Sequence, residues 1–412
     1  MLILAHAPVH NDRFAILRRS KMNYVKQGMV LKNLGFGMMR LPEFKEGKGT
    51  TNFDYEQIYK MVDTFLEAGF HYFDTSYVYH NGKNEGVVRK VLVERHPRNA
   101  FTLATKFPTW AITKEEEIEP IFENQLENCG VDYFDYYLIH KIETVTYDGI
   151  DGNGGVCKTS HLIDHAKKWQ ADGKVKHLGF SFHSSAKLLD RVLRENPEFE
   201  FVQIPLNYYD WDSELVQARK CYDVIRKHGK QVVIMQPVKG GGLGSVPAQA
   251  EKLLKDMEPD ASVASWAVRF AGSLDGVLAV LSGMSTLEQV QDNIKVMQNT
   301  KPLNETEREV LKKVVQICKE NGPLQTSDFS KYDGLTLHGA PVSGILDAWN
   351  TCQFQPDPGF STENNYLKNI VAEERHLDLF GELPDEKVIL ADGTDETDLV
   401  LMAEKWLIEN SF

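Results

Sequence analysis

Short apolar runs alternate with amphipathic stretches from about residue 34 to residue 296. Several of the runs are apolar at successive positions, which is typical of parallel strands covered on both faces. Between the runs, apolar residues recur at helical spacing, as Ile58, Val62 and Phe65 do in the predicted helix Tyr55–Ala68. The predicted strands are Leu34–Met38, Gly69–Asp74, Phe101–Lys106, Tyr133–His140, Val175–Phe182, Phe201–Pro205, Val232–Gln236 and Gly276–Leu281.

Helices between most successive strands, including Ser185–Leu193 and Ser213–Lys227, indicate right-handed βαβ units and a parallel sheet. Eight such units predict an α/β fold, a closed (β/α)8 TIM barrel, which needs about 250 residues. A doubly wound open sheet has the same local pattern and stays an alternative.

The pattern changes beyond Pro302. One more amphipathic helix is predicted at Asn304–Cys318, with Asn304 as its N-cap. After Asn321 the chain is expected to be irregular, with a last helix at Leu399–Ile408. We therefore divide the chain into an N-terminal extension (residues 1–21, with Met22 as an alternative start), a barrel (22–300) and a C-terminal helical and irregular extension (301–412).

Composition narrows the class of protein. With 42% hydrophobic and 25% charged residues, the chain is typical of globular proteins, and its formal charge of −13 argues against a nucleic-acid partner. It has neither a membrane-length apolar run nor the features of a signal peptide. Nothing in the pattern indicates an oligomeric state. Five cysteines without paired spacing predict a cytoplasmic protein that has no zinc site: Cys129, Cys157, Cys221, Cys318 and Cys352.

Four chemically active side chains fall where the strands end, and this is where parallel barrels bind their substrates. Asp74, Lys106 and His140 end three successive predicted strands, and Tyr79 lies in the loop after the first of them. Reduction of a carbonyl needs a proton donor. An adjacent Lys106 ammonium is expected to lower the pKa of the Tyr79 phenol, Asp74 to hold Lys106, and His140 to orient the carbonyl. Singly, each residue has an ordinary structural interpretation; together and in this order they favour a catalytic set.

Six fragments resemble the aldo-keto reductase superfamily in order and spacing, over about residues 22–300. They are LGFGMMRLP (34–42), FDTSYVY (73–79), ATK (104–106), LIH (138–140), GFSFH (179–183) and SGMSTLEQVQDN (282–293). The resemblance implies an oxidoreductase that uses NADP or NAD on a small carbonyl or alcohol substrate. It also implies that Asp74, Tyr79, Lys106 and His140 are the catalytic tetrad.

The resemblance implies a nicotinamide site less completely. The family holds the nicotinamide amide with a Ser-Asn pair and a Gln; Ser181 and Gln203 match, but Phe182 stands in place of the Asn. The tyrosine that many members carry before Pro237 is absent. The glycine run that begins with Gly240 and Gly241 suits close backbone approach to the pyrophosphate, or is a plain flexible loop.

The adenine side of the cofactor is expected at the last strand. Gly283 and Ser285 precede a predicted helix whose first amides suit a phosphate, and Gln289 and Asn293 match positions in the family. The Arg or Lys often found near Ser285, which would bind a 2′-phosphate, is missing. The choice between NADP and NAD therefore stays open.

Two further residues are candidates for the substrate pocket. Trp110 either forms a pocket wall or packs at the barrel rim. His183 either replaces the missing amide contact or is structural.

The C-terminal extension resembles a ferredoxin-like module found in one branch of the family. A faint outline of its framework remains at Pro323, Tyr332, Pro341, Ile345 and Asn350. No cysteine lies between Cys318 and Cys352, so we expect no iron–sulfur cluster.

Two other functions remain open: a regulatory or redox-sensing barrel that binds the cofactor without efficient turnover, and a metal-dependent isomerase or lyase that uses His140, His183, Asp74 and Glu85.

Overall fold

Eight parallel strands close into a barrel in which each strand pairs with its chain neighbours and the last pairs with the first. The computed structural model describes residues 33–44, 52–149, 152–299, 301–354, 362–374 and 385–410. The barrel strands are β1 (Leu34–Gly37), β2 (Tyr72–Asp74), β3 (Thr102–Pro108), β4 (Phe134–Ile142), β5 (Val175–Phe182), β6 (Phe201–Pro205), β7 (Gln231–Met235) and β8 (Val277–Gly283). The predicted closed barrel is confirmed, and the open sheet was the wrong alternative.

Helices follow each strand and form the outer layer. They are α1 (Tyr55–Glu67), α2 (Asn84–Val88), α3 (Ile118–Cys129), α4 (Thr144–Asp148), α5 (Val156–Thr159), α6 (Leu162–Ala171), α7 (Ala186–Glu195), α8 (Ala218–Lys227), α9 (Ala248–Met257), α10 (Val263–Gly272) and α11 (Leu287–Asn299). α2 continues as a π-helical turn over Arg89–Val93. A short antiparallel hairpin joins Glu43–Phe44 to Asn52–Phe53.

Element boundaries differ from prediction where the backbone turns. The second strand begins at Tyr72 rather than Gly69, because Gly69 adopts a φ of +87° in the turn after α1. The helix predicted from Ser213 begins at Ala218, since Gln217 before it has a φ of +55°.

The barrel interior consists of an apolar floor beneath a polar layer. A small cluster, separate from the core under the helices, fills the floor: Tyr72, Ala104, Leu138, Phe201, Val233, Ala279 and Leu281. Side chains alternate between the two faces of a strand, so residues two positions further on face inward at the next level. These residues are Asp74, Lys106, His140 and Gln203. The strand pattern alone therefore places polar groups above the floor, at the carboxyl ends of the strands.

The C-terminal extension is mostly helical. Its elements are α12 (Glu305–Glu320), β9 (Thr336–Leu337), β10 (Ala340–Pro341), α13 (Val342–Phe354), α14 (Thr362–Glu374) and α15 (Thr397–Glu409). Asn304 caps α12 as predicted, since its side chain accepts from the Glu307 amide. The stretch after Asn321, expected to be irregular, contains α13 and α14.

Two further predictions concerned the N-terminal extension and membrane-spanning helices. The predicted N-terminal extension and the alternative start at Met22 lie outside the described residues. Within the described ranges, no helix is both long and apolar enough to cross a membrane.

Candidate active site

Three of the four predicted catalytic side chains meet at the Lys106 ammonium. Lys106 Nζ donates to Asp74 Oδ1 at 2.5 Å and to the backbone oxygen of Thr75 at 2.6 Å, and it lies 3.1 Å from Tyr79 Oη. Asp74 and Lys106 are buried, because both point inward from adjacent strands. A buried ammonium with three oxygen partners is held in one position.

The loop after β2 brings Tyr79 back over the strand ends. Its backbone amide donates to the Ser76 oxygen at 3.2 Å. Asn84 at the start of α2 ties this loop to the barrel. It pairs with Thr75 Oγ1 at 2.5 Å and donates to the Met38 oxygen at 2.9 Å. Tyr79 thus has a fixed backbone although it lies in a loop.

His140 completes the group from β4. The ring centroids of His140 and Tyr79 are 6.4 Å apart, and Ser76 Oγ lies 3.2 Å from His140 Nδ1. When Ser76 donates to Nδ1, the neutral imidazole carries its proton on Nε2 and presents a donor. Sequence reasoning gave Ser76 no role, although it belongs to the FDTSYVY fragment.

Burial governs the protonation states at this site. It lowers the pKa of His140 well below its usual value, and the nearby Lys106 charge adds to this effect. Burial disfavours the charge on Lys106, but the Asp74 carboxylate and Tyr79 outweigh it and raise the lysine pKa. The site therefore holds a charged lysine beside a neutral imidazole.

The Tyr79 pKa differs from the sequence expectation. Burial raises this pKa above its usual value, even though Lys106 acts to lower it as expected. The expected net lowering is wrong in this structure, since a sequence shows the neighbouring charge but not the degree of burial. Tyr79 is therefore a protonated phenol at neutral pH.

Glu85 supports the site from behind β3. Its carboxylate accepts from Thr105 Oγ1 at 2.7 Å and from Gln125 Nε2 at 2.9 Å, and Gln125 also donates to the Lys106 backbone oxygen. Glu85 is buried, and its carboxylate accepts the hydrogen bonds that hold Thr105 and Gln125 behind β3. Among the described residues, no group of three or more His, Cys, Asp or Glu side chains has metal-site geometry, so the metal-dependent alternative gains no support.

Ser181 and Gln203 form a second polar pair in the same layer. They are partners in the register between β5 and β6, and both are buried. Gln203 Oε1 has no hydrogen-bond partner, and its amide nitrogen contacts only the Met235 sulfur, at 3.5 Å. A buried, unpaired carbonyl suits an incoming amide N–H₂ donor. Phe182, on the opposite face, is buried in the core under the helices and cannot replace the family's Asn.

The glycine run after Pro237 is an anchored loop. Gly240 and Gly241 have φ values of +65° and +105°, and a Cβ on Gly241 would meet no atom within 4 Å. Lys239 just before them is buried and pairs with Asp210 at 2.6 Å. This geometry favours an exposed backbone surface on a fixed support over a plain flexible loop.

At the end of β8, three of the predicted cofactor residues form hydrogen bonds within this segment of the chain. The Ser285 amide donates to Gln289 Oε1 at 2.7 Å, and Asn293 Nδ2 donates to Ser282 Oγ at 2.8 Å. Gly283 lies beside Arg40, whose backbone oxygen accepts from Ser285 Oγ at 2.8 Å. Sequence reasoning did not single out Arg40.

The family model described as the Aldo/keto reductase family matches residues 33–316. The chain belongs to this family.

Individual relatives are distant in sequence. An uncharacterized oxidoreductase, YqkF, of Bacillus subtilis is 22% identical over 69% of this chain and 95% of its own length. Human aldo-keto reductase family 1 member C3 is 27% identical over 39% of this chain and 49% of its own length. An aldo-keto reductase from Klebsiella pneumoniae, solved in complex with NADPH, shares the fold with a TM-score of 0.55 and 18% identity, over 72% of this chain and 95% of its own.

In this aldo-keto reductase, Trp110 borders the predicted catalytic group. Its side chain is 53% exposed, and its ring centroid lies 5.0 Å from that of His140. A half-exposed aromatic ring beside the predicted catalytic histidine favours the pocket-wall interpretation over rim packing.

The C-terminal extension of this aldo-keto reductase reaches the strand ends as well. Asn369 on α14 donates to the His183 backbone oxygen at 2.6 Å and lies 3.2 Å from Glu143 Oε2. Burial, together with the Lys141 charge, lowers the pKa of His183 to about 3. His183 is therefore a neutral side chain that borders both the barrel and its extension.

Proposed function

We propose that the protein transfers hydride between NADPH or NADH and an aldehyde, ketone or sugar-like carbonyl, with Tyr79 as the proton donor. The observation that carries this proposal is the buried Lys106, which contacts Asp74 and Tyr79 together above the apolar floor. Asp74 keeps the buried lysine charged, and the lysine places that charge beside the Tyr79 hydroxyl, which is what an acid–base pair requires.

The residues present fit a nicotinamide cofactor. The unpaired Gln203 oxygen and the neighbouring Ser181 would hold the carboxamide, and the exposed backbone at Gly240 and Gly241 would lie against the pyrophosphate. The cofactor supplies the hydride. The NADPH complex of the Klebsiella relative supports this assignment.

The protein's own residues handle the proton and the carbonyl oxygen. The neutral His140 donates from Nε2 to that oxygen and orients it beside Tyr79. As the oxygen gains negative charge, the Tyr79 hydroxyl gives up its proton to form the alcohol. Lys106 stabilises the resulting phenolate, and Asp74 keeps Lys106 charged and in place.

The testing experiment separates binding from chemistry. The protein is titrated with NADPH and with NADH by fluorescence, and carbonyls are then screened with the tighter binder. Tyr79→Phe is expected to lower kcat by about a hundredfold or more while the cofactor Kd stays unchanged. Tyr77→Phe, two residues away in the same loop, is the matched control and is expected to keep full activity. Undiminished turnover in Tyr79→Phe would disprove the assigned role.

One observation favours a second function. Phe182 leaves one amide contact of the cofactor without an obvious replacement, which suits a protein that binds the cofactor and turns over poorly. Tight NADPH binding combined with no carbonyl reduction across the screen would support this regulatory function instead.

A further inference from the structure

The loop after β6, residues 207–210, is held together by its own side chains, and we call it the β6 loop. Asn207 Oδ1 accepts from the backbone amides of Tyr209 at 3.0 Å and of Asp210 at 2.9 Å. Asn207 Nδ2 donates to Asp210 Oδ2 at 2.8 Å. All three residues are buried. Because one amide side chain holds both neighbours, a displacement of Tyr209 would also displace Asp210.

On one side, the β6 loop supports the start of the glycine run. Asp210 Oδ1 accepts from Lys239 Nζ at 2.6 Å, and Asn207 Nδ2 donates to the Gln236 backbone oxygen at 3.3 Å. Gln236 and Lys239 have φ values of +53° and +49°. Such left-handed conformations cost free energy in residues other than glycine and persist where neighbouring contacts fix them. The contacts from the β6 loop therefore hold the backbone just before Gly240.

On the other side, the β6 loop contacts the C-terminal extension. Tyr209 Oη lies 3.2 Å from Thr351 Oγ1 on α13, and both residues are buried. Lys319 on α12 places Nζ 5.7 Å from the centre of the Tyr209 ring and donates to Asp347 Oδ2 on α13 at 2.7 Å. Lys239 Nζ lies 5.4 Å from the centre of the same ring. Tyr209 thus contacts both the extension and the lysine that precedes the glycine run.

These contacts connect the extension to the proposed cofactor site. The backbone at Gly240 and Gly241 is the surface that the proposed function places against the pyrophosphate. A loop that is fixed before its ligand arrives loses less conformational entropy on binding, so support of this loop raises affinity.

We propose that the C-terminal extension increases cofactor affinity by fixing the glycine run through Tyr209, whose hydroxyl pairs with Thr351. Tyr209 and Thr351 are positioning residues, because they act through Asp210 and Lys239 and do not themselves touch the cofactor. This inference rests on the proposed function, since it gives the extension a role in binding the same cofactor. NADPH and NADH share the pyrophosphate, so the effect applies to both.

Equilibrium titration of the full chain tests the proposal. NADPH and NADH are titrated separately into the wild type, Tyr209→Phe, Thr351→Val and the double variant, with fluorescence as the readout. We expect each single substitution to raise both Kd values about threefold to tenfold, because it removes one buried hydrogen bond. The double variant should bind no more weakly than the weaker single variant, since both substitutions remove the same contact.

Cofactor fragments and turnover locate the effect. ADP-ribose, which keeps the pyrophosphate, should lose affinity for Tyr209→Phe by a similar factor, whereas 5′-AMP, which lacks it, should bind as it does to the wild type. In the same variant, KM for the cofactor should rise and kcat at saturating cofactor should not fall.

Tyr222→Phe is the matched control. Tyr222 is a buried tyrosine on α8 whose hydroxyl donates to the Asp275 backbone oxygen at 2.8 Å, just before β8 and so at the amino ends of the strands. The same chemical change is made far from the glycine run. We expect it to lower the free energy of unfolding, measured by urea denaturation, without changing either Kd.

The outcomes are separable. Unchanged Kd values in Tyr209→Phe and Thr351→Val, additive effects in the double variant, or an equal weakening in Tyr222→Phe would each overturn the role of the extension and leave the proposed reductase intact. If the wild type binds neither dinucleotide, the proposed function itself fails.

Discussion

At the scale of single residues, Tyr79 experiences two opposing effects. Burial favours its neutral form, and the Lys106 ammonium 3.1 Å away favours its phenolate. Burial wins, so the resting protein holds the proton that carbonyl reduction needs. The lysine matters most after the proton has left, when it faces a phenolate instead of a phenol.

The pH dependence of reduction follows from these directions. A raised Tyr79 pKa means that the donor form is fully present below that pKa and is lost as pH rises through it. A lowered His140 pKa means that the neutral imidazole persists on the acid side. We expect kcat/KM for reduction to stay flat through the neutral range and to fall only at pH values above the ordinary tyrosine pKa of about 10. The check is a rate profile with one carbonyl substrate.

Alcohol oxidation should show the opposite dependence. It requires the Tyr79 phenolate, whose fraction grows with pH, so the oxidation rate should rise through the same alkaline range. A reduction profile that falls near neutral pH with an apparent pKa of about 7 would contradict the assignment, since it would point to a histidine as the donor.

Single residues also show what a sequence can predict. Asp74, Lys106 and His140 were predictable because strand ends converge in a barrel. The contacts of Ser76 with His140 and of Arg40 with Ser285 were not, because the two partners lie many residues apart in the chain. The unpaired state of the Gln203 oxygen was not predictable either, because it depends on how the surrounding side chains pack.

At the scale of elements, the start of α12 is defined by local chemistry. Asn304 and Glu307 cap each other's amides, and Glu307 also pairs with Arg269 on α10 at 2.9 Å. Asn304→Ala is expected to lower the free energy of unfolding by about 0.5–2 kcal/mol, measured by urea denaturation. Asn304→Ser keeps a capping oxygen and should cost less; equal losses in the two variants would show that the cap contributes little.

The elements that escaped prediction lack such local signals. α13 has buried residues such as Val342, Ile345 and Cys352, and the partners that cover it are distant in sequence. Because α13 has no exposed polar face, its apolar and polar residues do not alternate at helical spacing, and the sequence pattern does not reveal the helix. The N-cap of α12 and the amphipathic pattern of α1, by contrast, can be recognised from a few neighbouring residues in the sequence.

α14 provides a second test at the element scale. Asn369 bonds the His183 backbone oxygen and Glu143, which belong to the loops after β5 and β4. Asn369→Ala would remove the side-chain donor to the His183 backbone oxygen, while Glu143 would keep its ion pair with Lys141, so we expect a loss of about 1–3 kcal/mol in unfolding free energy. Asn410→Ala, which removes an exposed bond to the Trp406 oxygen, is the control and should cost less. Equal stability of the two variants would mean that α14 does not brace these loops.

At the scale of the whole molecule, the apolar floor joins stability to the site. Gly179 on β5 faces Phe201 on β6, and a Cβ on Gly179 would lie 2.5 Å from the Phe201 backbone oxygen and 2.7 Å from its ring. The large ring fills the space that the glycine leaves, as close packing inside a small barrel requires. Ser181 stands two residues further along β5 and Gln203 two residues further along β6, so the spacing at the floor also sets the spacing of this polar pair.

Adding one methyl group at Gly179 should therefore affect both stability and binding. Because the contacted atoms include backbone, Gly179→Ala must separate β5 from β6, and we expect a loss of about 1–3 kcal/mol in unfolding free energy. The separation should also weaken NADPH binding, since it displaces Ser181 from Gln203. Gly86→Ala is the matched control: a Cβ there meets no atom within 4 Å and the residue lies in α2, so it should be neutral or stabilising. If both variants unfold at the same urea concentration and bind NADPH equally, the floor does not position the site, and the polar layer owes its geometry to the loops instead.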